Sequence, residues 1–152
     1  MMRVSWIKKI GARYLDWRYG AIDMDAPVGK RGEQAAARLL RRKGLTVVAE
    51  SESDRAGEID LIAIDERKKL IIFAEVKTHS TTKPGHPAER VDEVKQGRIT
   101  RAALRYLKRK KLLGAPVRFD VIAVWWPNEQ LMPERMEHYE AAFEAVGDYQ
   151  MY

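Results

Sequence analysis

Asp60, Glu75 and Lys77 are the residues most able to do chemistry. They stand in GEIDLIAIDERKKLIIFAEVK, residues 57–77, a stretch otherwise rich in Ile, Leu, Phe, Ala and Val. Residues 59–64 and 70–77 read as two strands joined by the charged turn 66–69. An antiparallel hairpin with that four-residue loop pairs Asp65 with Leu70 and Ile64 with Ile71. Continued down the ladder, it sets Asp60 opposite Glu75. Residues directly opposite share a face, with Cβ atoms about 4.5–5.5 Å apart. Lys77, two positions beyond Glu75, shares that face, while Val76 points away. A slip of one residue would break the arrangement.

Facing carboxylates repel, so something must offset them. Three answers are open: a hard divalent cation, a lysine salt bridge, or one carboxyl that stays protonated. Mg²⁺ commonly takes one or two carboxylates plus water and substrate phosphate. Such an ion polarises a phosphate and acidifies water, which suits phosphodiester hydrolysis. Lys77 would orient the water or stabilise charge building on the phosphate. The Val76 main-chain carbonyl is a further candidate ligand. Glu33 either completes the site from an adjacent helix or is a half-buried acid paired with Lys77.

These residues need a scaffold. Residues 29–43 read as a helix, Ala-rich and ended by Gly44. Glu33, Ala36, Ala37 and Leu40 fall on one face of it. Residues 45–49 read as a strand and 50–57 as a polar connection. After the hairpin, residues 78–87 carry Ser, Thr, Gly and two prolines and read as a loop. A long helix is expected at 88–111, a strand at 117–126 and a last helix at 134–146. The order predicts an α/β fold, a mixed sheet of four to five strands flanked by helices. The chain divides into a basic amphipathic extension and linker (1–28), a core (29–126) and a C-terminal segment (127–152) that packs on or extends the core. There is no internal repeat.

Asp60 followed fifteen residues later by Glu75-Val76-Lys77 resembles the PD-(D/E)xK nuclease signature. That restriction-endonuclease-like superfamily includes the archaeal Holliday junction resolvases. The flanking residues are more specific. Gly32-Glu33 opening a helix, Gly57-Glu58-Ile59-Asp60-Leu61-Ile62-Ala63, Glu75-Val76-Lys77-Thr78, Gly85-His86-Pro87, Lys95 and Arg118-Phe119-Asp120-Val121 closely resemble the YraN-like family of small bacterial proteins. The resemblance covers about residues 29 to 126. It implies a resolvase-like fold, a Mg²⁺ or Mn²⁺ cofactor and an active-site set of Glu33, Asp60, Glu75 and Lys77. By analogy with resolvases it extends to a homodimer. Two features depart from the family: His79 stands where arginine is frequent, and the N-terminal extension is unusual. Gly57-Glu58 in place of the Pro of the superfamily's name is a normal variation.

The chain of 152 residues carries a net charge of +6, with a pI of about 9.6. That balance favours an anionic partner: nucleic acid (DNA before RNA), an acidic membrane surface or phosphate. From Lys95 to Lys111 there are eight Lys or Arg and no acid. Arg98, Arg101, Arg105 and Lys108 fall on one side of the expected helix, and Ile99, Ala102, Ala103 and Tyr106 form its apolar stripe. The basic side, with Lys95 and His79, either tracks phosphates or is an ordinary solvated face. Phosphate contacts give affinity without sequence readout, so the first reading implies selectivity for structure, such as branched or single-stranded DNA. Trp125 and Trp126 either stack on bases or are buried by strand alternation. Trp6, Ile7, Ile10, Tyr14 and Trp17 recur at helical spacing among cations, so residues 1–20 either touch a lipid surface peripherally or nucleic acid, or form a helix that packs or frays. No apolar run reaches the roughly 18 residues of a membrane span. The absence of cysteine excludes disulfides and thiol chemistry and fits a cytoplasmic location. His79, His86 and His138 have no zinc spacing, and residues 29–32 are not a P-loop. The expected function is a metal-dependent endonuclease, with a non-catalytic nucleic-acid-binding or scaffold protein of the same fold as the alternative.

Overall fold

A computed structural model describes residues 2–55, 57–81 and 91–147, without the side chains of residues 2–8. Helix α1 (Met2–Tyr19) precedes helix α2 (Val28–Arg42). Strands β1 (Thr46–Asp54), β2 (Gly57–Asp65) and β3 (Leu70–His79) follow. Helix α3 (Glu93–Arg109) then leads to β4 (Val117–Trp125) and β5 (Arg135–Phe143). The five strands lie in chain order in one sheet. Only β3 and β4 run parallel, joined through α3; the other three neighbouring pairs are antiparallel.

The sheet is buried on both faces, one against each helix. Ala35, Ala36, Ala37 and Leu40 of α2 pack on Leu61, Ala63, Ile72, Ala74, Ile122 and Val124. Ile99, Ala102, Ala103, Tyr106 and Leu107 of α3 pack on Ile62, Ile71, Phe73, Phe119 and Val121. The small residues of α2 let its axis approach the sheet. Bulk comes from the other side, where Phe73 stacks on Phe119 and Phe119 on Phe143, while Tyr106 meets Phe73 edge-on. The apolar stripe expected on α3 is its buried stripe. Gly44 ends α2 in the left-handed region, at φ 85°.

Three expectations need correction. First, β1 does not stop near Ala49 but continues through the polar residues 50–54. Pairing with β2 satisfies its backbone, and Arg105 and Arg109 of α3 neutralise Asp54 and Glu52. Second, the expected helix at 134–146 is strand β5. Its Glu, Met and Ala favour helix locally, but the open edge of β4 offers a full ladder, and Met136 reaches the α2-side core as Tyr139 and Phe143 reach the other. Third, β3 takes Thr78 and His79 from the expected loop. Helix α3 starts at Glu93, capped by Asp92, whose carboxylate accepts the Lys95 N–H at 2.8 Å. The expected start of that helix at residue 88 and the Gly85-His86-Pro87 motif lie outside the described residues.

The far edge of the sheet is held by a buried charge network. Asp120 is fully buried and accepts two 2.8 Å bonds from Arg118, one from His138 Nε2 at 2.8 Å and one from the Ala141 N–H at 3.0 Å. His138 Nδ1 lies 2.9 Å from Lys43 at the end of α2. Burial pushes the Asp120 carboxyl upward, and the bonds from His138, Arg118 and Ala141 outweigh it, so its pKa lies below the ordinary value. The Arg118-Phe119-Asp120-Val121 motif therefore anchors β5 to β4.

Helix α1 meets α2 at its C-terminal end, where Arg38 donates to Asp16 and the Gly20 carbonyl and Arg41 to the Tyr19 carbonyl. Ile10, Tyr14 and Trp17 stay exposed. No helix among the described residues is long and apolar enough to cross a membrane.

Candidate active site

The β2–β3 register is the one drawn from the sequence as far as Leu61 opposite Ala74. At the next position the ladder changes. Asp60 Oδ2 accepts the Val76 N–H at 2.7 Å, so a carboxylate takes the place of a strand partner. Ile59 and Ile62 belong to the α3-side core, Leu61 and Ala63 to the α2 side; strict alternation breaks at Asp60. Beside it in β1, Ser51 adopts a left-handed conformation, φ 52°. Two adjacent strands are thus irregular at the point where the acids gather, as strands often are where a side chain must be re-aimed.

Asp60 and Glu75 are neighbours whose charges act on one another. Glu75 is 5% exposed. Burial is the main force raising the Asp60 pKa; the Glu75 and Glu33 charges add to it, and the Val76 N–H opposes them. The result is a carboxyl pushed up to about 7. The Glu75 carboxylate is met by Lys95, which crosses from the first turn of α3 to Glu75 Oε1. Burial opposes the charge on Lys95, but Glu75, Asp60 and Asp92 outweigh it and raise its pKa. Lys77 is half-buried one alternation beyond Glu75 on β3.

Glu33 stands on the other side of the strands. Its Oε2 lies 2.9 Å from Lys30 Nζ and accepts the Ser51 hydroxyl at 3.0 Å. Lys30 also donates to Ser51. Lys30, one turn earlier on the same helix, is thus a partner of Glu33. Gly32 explains how α2 comes so close. A Cβ there would lie 1.9 Å from Thr78 Oγ1, so only glycine lets the helix rest on β3 just beyond Lys77.

Among the described residues no three acidic or histidine side chains converge on one point. The side chains offer two carboxylates, Asp60 and Glu75. This donor set fits Mg²⁺ or Mn²⁺, which commonly use one or two carboxylates and complete their shell from water, a main-chain carbonyl such as that of Val76, and substrate phosphate. Glu33 adds negative charge from a distance rather than an oxygen at the same point.

The residues expected on nucleic acid divide into groups. Lys95 belongs to the carboxylate pair. Arg105 bonds Asp54 at 3.0 Å, and Arg109, its neighbour one turn on, bonds Glu52, so both tie α3 to β1. Arg98, Arg101 and Lys108 are exposed and make no ion pair with the described residues. Arg105, Lys108 and Arg109 join Asp54 and Arg55 around an open depression of about 710 Å³ at the end of the β1–β2 hairpin. His79 stacks on Trp125 at 5.4 Å, and Arg135 covers Trp125 at 3.8 Å. Trp125 and Trp126 are both buried, so neither presents a face to a base. Lys30, Ser51 and the link from Lys95 to Glu75 were missed in the sequence. The i, i+3 spacing of Lys30 and Glu33 was the one available signal.

A sequence profile of the uncharacterised protein family UPF0102 matches residues 32–124. The chain belongs to this family. It is 68% identical over 148 residues to a UPF0102 protein of Rhodopirellula baltica, covering 95% of this chain and 89% of that one. It is 46% identical over 96 residues to a UPF0102 protein of Desulfosudis oleivorans, covering 63% and 76%. A UPF0102 protein of Chlorobaculum tepidum is 42% identical over 130 residues, with 82% of this chain and 98% of that one aligned. The UPF0102 family, also called YraN, lies within the restriction-endonuclease-like superfamily, and the five-stranded mixed sheet with its helices is resolvase-like. The matched span of UPF0102 holds α2 from Gly32 onward, both central hairpin strands, α3 and nearly all of β4, and so every residue of the candidate site except Lys30.

Proposed function

We propose that this UPF0102 protein is a divalent-metal-dependent nuclease that hydrolyses phosphodiester bonds, acting on DNA by structure rather than by sequence. The observation that carries the reading is the half-buried Asp60 beside the buried Glu75 at a break in the strand ladder, with lysines alongside. Two adjacent carboxylates drawn out of water cost stability, and a fold keeps them where they have work to do.

In this reading Asp60 and Glu75 hold Mg²⁺ or Mn²⁺, with the Val76 carbonyl as a further donor. When bound there, such an ion would supply Lewis acidity, enough to polarise a phosphate and acidify water. Lys77 orients that water and stabilises the charge that develops on the phosphoryl oxygens. The water oxygen bonds to phosphorus, one P–O ester bond breaks, and the products are a phosphate monoester and an alcohol. The Val76 N–H fixes the Asp60 carboxylate, and Glu33 adds to the negative field that attracts a cation. The exposed Arg98, Arg101 and Lys108 bind backbone phosphates, which gives affinity without base readout.

The test is incubation of the purified protein with labelled single-stranded, duplex, flap and four-way-junction DNA in Mg²⁺, Mn²⁺ or EDTA. Metal-dependent cutting, with one structure preferred, supports the proposal. Tight, salt-sensitive binding with no cutting on any substrate would replace it with a non-catalytic DNA-binding protein.

A further inference from the structure

Lys95 holds an unusual place. Its backbone N–H is part of the cap of α3, on Asp92. Its side chain leaves the helix and ends on Glu75 Oε1. Glu75 is 5% exposed, whereas the Lys95 side chain is 47% exposed. The ammonium thus reaches from the solvent side onto a carboxylate that is otherwise enclosed. Asp60 lies within electrostatic reach of the same ammonium. A flexible cation thus sits on the buried Glu75, next to Asp60.

A divalent ion bound by Asp60 and Glu75 needs an oxygen of that same Glu75 carboxylate. An ammonium and a dication repel strongly at contact distance, so the two compete. Lysine suits a displaceable role. It is a compact charge on a four-carbon stem, and its exposed half can swing into water without moving the helix. Its next helical neighbour on the basic side is the exposed Arg98. A Lys95 released from Glu75 therefore adds a cation to the row that would face phosphates.

We infer that Lys95 is a built-in counter-cation: it holds the Asp60–Glu75 pair until a divalent ion displaces it, and then contacts a phosphate of the nucleic acid. This rests on the metal-dependent nuclease reading. It makes metal and DNA binding mutually reinforcing, and by linkage each ligand raises affinity for the other by the same factor.

The experiment measures Mn²⁺ binding to the full chain by calorimetry for wild type, Lys95→Gln, Lys95→Met and Asp60→Ala. DNA affinity is read by fluorescence anisotropy with and without Mn²⁺, using a short duplex bearing non-hydrolysable linkages. Both Lys95 variants should bind Mn²⁺ about tenfold tighter than wild type, as loss of a charged competitor predicts. Asp60→Ala should not bind it. Mn²⁺ should strengthen DNA binding by wild type more than by either Lys95 variant. Equal or weaker Mn²⁺ binding by both Lys95 variants, with Asp60→Ala still inactive in binding, would overturn the inference and leave the metal site standing. No Mn²⁺ binding by any of the proteins would overturn both.

Discussion

Asp60→Asn should make the protein more stable at pH 8. Asp60 in the unfolded chain has the ordinary pKa of 3.8, and folding pushes it up to about 7. Between those values the folded state binds the proton more than the unfolded state does. Stability therefore falls as pH rises from about 4 to about 7, and the full cost remains above that. Three pH units at 1.36 kcal/mol each set a ceiling of about 4 kcal/mol. Asparagine removes the charge and keeps an oxygen to accept the Val76 N–H, now 2.7 Å from Asp60 Oδ2. Its amide can donate to Glu75. Local relaxation reduces the gain to about 2 kcal/mol, or roughly 4–8 °C in Tm for a chain of this size. The assay is urea denaturation of wild type and variant at pH 5, 6.5 and 8 in EDTA. The gain at pH 5 should be about two-fifths of that at pH 8. A variant no more stable than wild type at pH 8, or a gain that does not change with pH, would refute the reasoning.

Three further outcomes follow from other contacts. Gly32→Ala drives a methyl into Thr78 and must lift α2 from β3, so it should cost about 1–3 kcal/mol in denaturation and weaken Mn²⁺ binding by displacing Glu33 and its neighbours. Asp120→Ala leaves Arg118 and His138 without their shared partner and should cost about 3–5 kcal/mol. Because the folded Asp120 pKa is depressed, wild type holds this stability above the ordinary carboxylate pKa and loses it as pH falls through the folded value; in acid titrations the gap to the variant should close. Arg98→Gln, Arg101→Gln and Lys108→Gln together should lower the slope of log K against log salt on duplex DNA by about 2.7, at about 0.9 per lost phosphate contact.

The hairpin was legible because local rules fixed it. A four-residue charged turn and strands of Ile, Leu, Phe and Val leave few registers, and Leu61 opposite Ala74 is the one the turn length dictates. The stripe of α3 and the end of α2 at Gly44 were legible for the same reason. Residues 50–54 were not, because an edge strand can be polar when its backbone has a partner and its acids meet Arg105 and Arg109 from a helix forty or more residues away. Strand β5 was hidden by its own helix propensity, which the β4 edge overrides. At the candidate site, the nearness of Asp60 to Glu75 could be counted from the turn, but the ladder pairing expected between them is absent, since the register ends at Leu61 and Ala74. The break in alternation at Asp60, the Val76 N–H it accepts and the arrival of Lys95 come from tertiary placement that spacing does not carry. Glu33 falls on the sheet-facing side of its helix, as its spacing indicates, and Lys30, one turn earlier, bonds it.

The most direct test of a metal-dependent site at Asp60, Glu75 and Lys77 is single-turnover cleavage of the preferred DNA structure at saturating protein and Mn²⁺. Wild type, Asp60→Asn and Lys77→Ala would be compared, with DNA binding measured alongside. The account predicts that both variants still bind the DNA and cut it at least about a hundredfold more slowly, the scale of losing one group that stabilises developing charge. Metal-dependent cleavage at the wild-type rate in both variants would contradict it.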